Sequence, residues 1–151
     1  MSTIVLRNRN ESLNRIESFV EHICVGFNIN DTFLGNMIIA VSEVVNIIEA
    51  KNLGVKISFK NEQKEFSFVF EDFSNELDLT LFSNDRELLT ETRSETDNSL
   101  FMINALCDDL IVDSIERVIV LTFINEGVAE KLSRHRKNYL NNYLNQQLKV
   151  N

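Results

Sequence analysis

The chain has no proline, four glycines and two cysteines in 151 residues. Without proline there is no stiff linker and no marked domain boundary, so one domain with one core is expected. Two cysteines make neither a disulfide framework nor a zinc site, and Cys24 and Cys107 sit in apolar periodic segments where a thiol acts as a small hydrophobe. His22 and His135 are far apart, with no second His or Cys at ligand spacing. No Gly-rich P-loop and no Ser, His and Asp grouping occurs. Apolar runs are broken by charge before the roughly 18 to 20 residues that span a bilayer, and no basic region followed by an apolar block opens the chain. A soluble, cytoplasmic protein is expected.

Positive charge is scarce and unevenly placed. Residues 1–127 carry 22 acidic and 10 basic side chains, whereas 128–151 carry Glu130 against Lys131, Arg134, Arg136, Lys137 and Lys149. An acidic body repels nucleic acid, and a short basic tail suits an acidic protein surface better than DNA.

What is present is hydrophobic periodicity, with 44% apolar residues and eleven phenylalanines. A short edge strand is expected at 3–7. Leu13, Ile16, Val20, Ile23 and Phe27 follow at helical spacing. Gly26 and the 28–31 cluster end that helix, and Asn30 or Asp31 can cap a second one running to about Ala50. Val55, Ile57 and Phe59, then Phe66, Phe68 and Phe70, alternate with polar residues as a hairpin does. Residues 74–98 are polar, with nine acids against Arg86 and Arg93 between Glu71 and Asp97. Such a stretch reads as a mobile loop or lid. A helix at 99–108 and strands at 110–114 and 117–124 follow. The tail, 128–148, has an apolar stripe of Leu132, Tyr139, Leu140, Tyr143, Leu144 and Leu148, as an amphipathic helix does. Paired strands with intervening helices imply an α+β, two-layer sandwich with a mixed, mainly antiparallel sheet covered on one face.

The second helix carries the most information. Leu34, Met37, Ile38, Val41, Val45 and Ile48 form a core stripe, while Ile39, Glu43, Asn46, Ile47 and Ala50 lie opposite. That second face is too apolar for bare solvent; either the 74–98 loop or the tail covers it, or it lines a ligand pocket. Asp108, Asp109 and Asp113 straddle a helix-to-strand junction and read as a solvated turn.

The stretch Ala40-Val41-Ser42-Glu43-Val44-Val45-Asn46-Ile47-Ile48-Glu49 resembles the N-box of the GHKL (Bergerat-fold) ATPases, especially the anti-sigma-factor serine kinases, and the order of elements along nearly the whole chain matches that family. The resemblance implies a histidine kinase-like ATPase domain at 1–127, with Glu43 as general base, Asn46 as ligand to Mg²⁺ and Asp72 on adenine. Three departures weaken the implied site. Asn46 follows Glu43 by three residues rather than four, with Ile47 at the fourth position: either one residue is deleted, which turns Asn46 by roughly 100° about the helix, or the metal-binding Asn is replaced by an isoleucine that cannot ligate Mg²⁺. "VFEDFSNE" keeps Asp72 but has Ser74 and Glu76 in place of glycines. "TDNSLFMINALCDD" has Asp97 and Ser99 in place of the glycines that let backbone N–H groups meet phosphate. Asp97 also sets a carboxylate against phosphate.

The expectation is a regulatory module resembling an anti-sigma factor, without bound cofactor, in which Asn46, Asp72, Asp97 and Ser99 mark a vestigial nucleotide pocket. Its partner would be a sigma factor or a STAS-domain antagonist. The alternatives are an active ATP- and Mg²⁺-dependent serine kinase acting on such an antagonist, and a structural homodimer joined through the tail.

Overall fold

The computed structural model describes residues 2–7, 9–49, 54–62, 64–83 and 94–124. The elements run β1 (Ser2–Leu6), α1 (Arg9–Gly26), α2 (Asp31–Glu49), β2 (Val55–Glu62), β3 (Glu65–Glu71), α3 (Glu95–Leu106), β4 (Asp109–Asp113) and β5 (Val118–Ile124). The five strands form one sheet in the order β1-β2-β3-β5-β4, with every pairing antiparallel. The fold is α+β, a two-layer sandwich. No parallel pair occurs among the described strands, so the sheet is simpler than the mixed one expected.

Alternation along each strand builds the inner face. Ile57, Phe59, Phe68, Phe70, Ile119, Leu121 and Phe123 are essentially solvent-free, because successive side chains of a strand point to opposite sides. The helices meet this face through aromatic rings. Phe19 of α1 stands edge-on to Phe68 at 6.4 Å between ring centres, Phe27 lies 5.1 Å from Phe59, and Phe33 of α2 meets Phe66 at 5.7 Å.

The helix ends follow local chemistry. Asn28 takes φ 51°, a left-handed value that asparagine tolerates, and the Ile29 N–H closes back on the Cys24 carbonyl at 2.9 Å. Gly26 is still helical, so Asn28 makes the turn. Asn30 Oδ1 accepts from the Thr32 N–H at 3.0 Å and starts α2. Helix α3 begins at Glu95 rather than near Ser99, because Ser94 and Asp97 form a capping box.

Two helical faces differ from the sequence reading. On α1, Leu13 is exposed, while Ser12 and Phe19 are buried; the contact stripe is rotated slightly from the expected one, and Phe27, just past the helix end, is part-exposed although its ring meets Phe59. On α2, Ile47 is buried together with Met37, Ala40, Val41, Val44, Val45 and Ile48. Helix α2 packs between α1 and α3 and meets the sheet through Phe33, so three of its sides are covered. By length and composition α2 could cross a membrane; here its apolar surface is the hub of a water-excluding core.

The first part of the acidic connection is also ordered. Leu77, Leu79 and Phe82 are buried and residues Leu79–Phe82 form a 3₁₀ turn capped by Asp78. A wholly mobile 74–98 loop is therefore incorrect for 74–83, because spaced apolar anchors hold it. Residues 94–98, the last part of that stretch, cap and open α3, while 84–93 and the tail 128–151 lie outside the described residues.

Candidate functional site

Helix α2 carries Glu43 and Glu49, and each carboxylate accepts a hydroxyl from a different neighbour. Ser99 Oγ of α3 donates to Glu43 Oε2 at 2.6 Å. Ser12 Oγ of α1 donates to Glu49 Oε1, also at 2.6 Å. Both serines are buried. A short bond to an ionised acceptor is about twice as strong as a neutral one, so these two contacts fasten the three helices into one layer.

Beside them, α1 and α2 leave a groove of about 440 Å³ whose lining includes Ile39, Ser42, Glu43 and Asn46. Among the described residues its ionisable lining groups are Glu17, Glu43 and Glu49, with no basic side chain. Such a groove repels a polyphosphate. Ser42 Oγ is buried there without a hydrogen-bond partner.

The N-terminus of α3 is occupied by its own residues. Ser94 Oγ accepts from the Asp97 N–H, and Asp97 Oδ2 accepts from the Ser94 N–H, both at 3.2 Å. The Asn98 N–H closes on the Ser94 carbonyl at 3.1 Å. Two of the donors that would meet a phosphate at this helix start, the Ser94 and Asp97 N–H groups, are engaged within the cap, and Asp97 places a negative charge at the same point.

Asp72 lies apart from these residues. It is exposed at the bend after β3, has φ 59°, and lines a separate hollow with Val5, Arg7, Gly54, Val55 and Lys56. The structure thus joins Glu43 to Ser99, puts Asn46 in the same groove as Glu43, and leaves Asp97 to cap its helix. It does not bring Asp72 into the groove lined by Glu43 and Asn46.

No protein-family model matches the chain, and no curated protein matches it. The likeness to Bergerat-fold ATPases rests on the motif residues and the order of elements.

Two structural residues escaped the sequence reading. Ser12 is a polar residue on the buried stripe of α1, four positions before Ile16, and a hydroxyl at such a position signals a partner. Arg117, in the β4–β5 turn at φ 55°, donates from Nη2 to the carbonyls of Ser74 at 3.0 Å and Leu77 at 2.9 Å. Its guanidinium lies 5.3 Å from the Phe73 ring centre, a cation–π contact. No sequence pattern marks Arg117. Two acidic residues at opposite ends of β4 are structural too: Asp108 Oδ2 accepts from the Ile124 N–H at 2.7 Å, and Asp113 Oδ1 from the N–H groups of Ile115 and Glu116 at 3.0 Å.

Burial, with Asp108 and Asp109 adding to it, pushes the Cys107 thiol up to about 11. Burial, followed by Asp31, also raises Cys24. Both thiols stay protonated at neutral pH, which makes them poor nucleophiles.

Proposed function

We propose that this protein is a cytoplasmic regulatory module that binds another protein, similar to an anti-sigma factor, and that its ATPase-like scaffold has lost nucleotide binding. The observation carrying this reading is the bond from Ser99 to Glu43. A general base must be open to water or substrate, whereas one oxygen of this carboxylate is engaged by a serine standing where the resembled motif has glycine. The self-capped start of α3 supports the same reading, because phosphate would have to displace Ser94 and face Asp97. With nucleotide chemistry set aside, the scaffold's remaining role is recognition. A sigma factor or a STAS-domain antagonist is the partner class that the motif resemblance suggests.

One observation favours a second reading, an active serine kinase: Glu43 and Asn46 share a groove. Calorimetric titration with Mg·ATP separates the two. The expected outcome is no binding tighter than millimolar. Micromolar, Mg²⁺-dependent binding that is lost in Asp72→Asn would overturn the binding-module reading.

A further inference from the structure

The three helices lie against one face of the sheet, and the register defines the other. Thr3, Ser58, Val69, Val120 and Ile111 form a single row across all five strands. Val5, Lys56 and Glu71 form a neighbouring row, and Lys60, Ser67, Thr122 and Asp109 another. Thr3 bonds Ser58 and Ser67 bonds Thr122 through their hydroxyls, both at 3.3 Å. Apolar area persists out to the edges, where Val5 is 40% and Ile111 51% exposed. Near the centre, Ser58 is 4% and Thr122 7% exposed, although no described helix lies over them.

We propose that this outer face is the seat of the chain's own tail, residues 128–148. Connectivity favours it. Strand β5 lies between β3 and β4, and Ile124, its last residue, is on the outer face by register with Glu65. In the sequence, Asn125-Glu126-Gly127, residue types that favour turns, separates β5 from the amphipathic stretch. Size agrees: 21 residues as a helix span about 31 Å, enough to cross five strands spaced about 4.8 Å apart. Charge agrees as well. The outer face presents Glu62, Glu65, Glu71, Asp109 and Asp113 against Lys56 and Lys60, and the tail is basic by Lys131, Arg134, Arg136, Lys137 and Lys149 against Glu130. The stripe of Leu132, Tyr139, Leu140, Tyr143, Leu144 and Leu148 would cover the Val69, Val120 and Ile111 row, flanked by opposite charges.

The chain has no tryptophan, and its two tyrosines, Tyr139 and Tyr143, are both in this stripe, so tyrosine emission reports on the tail alone. Acrylamide quenching of the full-length protein, with mass in solution measured in parallel, tests the proposal. Both tyrosines should be shielded in a monomer, independently of protein concentration. Shielding should be lost in Val120→Glu and equally in a Leu140→Glu, Leu144→Glu double variant, whose sheet is untouched. Tyrosines as accessible in the unaltered chain as in the double variant would overturn the proposal. Shielding that grows with concentration as the mass doubles would assign the face to a second copy instead. If the tail variant loses shielding while a folded Val120→Glu keeps it, the tail docks elsewhere and the proposal fails.

Discussion

The Ser99 hydroxyl reaches Glu43 across 2.6 Å from one helix to the next, and this contact closes the α2–α3 junction. Replacing the hydroxyl should therefore loosen the helical layer. Ser99→Ala is expected to lower unfolding stability by about 1–2 kcal/mol, since a hydrogen bond to an ionised group in a half-buried site contributes on that order. Glu43→Gln, which keeps an acceptor oxygen, should cost less. Urea denaturation of both variants checks the ranking, and a Ser99→Ala protein as stable as the parent would show that the bond is dispensable.

Arg117 holds the 73–83 segment by two carbonyl contacts and by its stacking on Phe73. Arg117→Ala should destabilise the protein by about 1–3 kcal/mol, because the part-buried carbonyls of Ser74 and Leu77 lose a charged donor. Arg117→Lys should recover little of this, since an ammonium lacks the planar fork. Hydrogen exchange over residues 73–83 should accelerate in both variants. Unchanged exchange there would place the anchoring in Leu77, Leu79 and Phe82 alone.

Gly35 is inside α2, and a Cβ built on it meets nothing within 4 Å. Gly35→Ala should stabilise the protein by about 0.5–1 kcal/mol by lowering the backbone freedom of the unfolded chain. Thermal melts of the two proteins decide it; a lower midpoint for the alanine variant would mean that this part of α2 needs room.

Cys107 is buried with Asp108 and Asp109 nearby, and its folded-state pKa of about 11 lies above the ordinary 9.0. Its contribution to stability is therefore complete below pH 9 and declines as pH rises from 9 toward 11, where the unfolded chain ionises its thiol first. Cys107→Ala should flatten this alkaline loss in urea titrations repeated across that range. An equal decline in the variant would assign the loss to other groups.

Periodicity alone determined most of the architecture. Period-two phenylalanines marked the β2–β3 hairpin, period-3.6 stripes marked α1 and α2, and Asn30 announced the start of α2, because each is set by neighbours a few residues away. The capping box that moved the start of α3 to Glu95 was equally local, present as Ser94 and Asp97 three residues apart. Tertiary structure alone decided what the polar residues do. Glu43 and Ser99 are 56 positions apart, Ser12 and Glu49 are 37 apart, and Arg117 lies 43 residues beyond Ser74. The burial of Ile47 depended likewise on α3 packing beside α2. A sequence records which side chains can form such contacts, but only the packing of distant segments brings donor and acceptor within 3 Å and removes the water that would otherwise satisfy them.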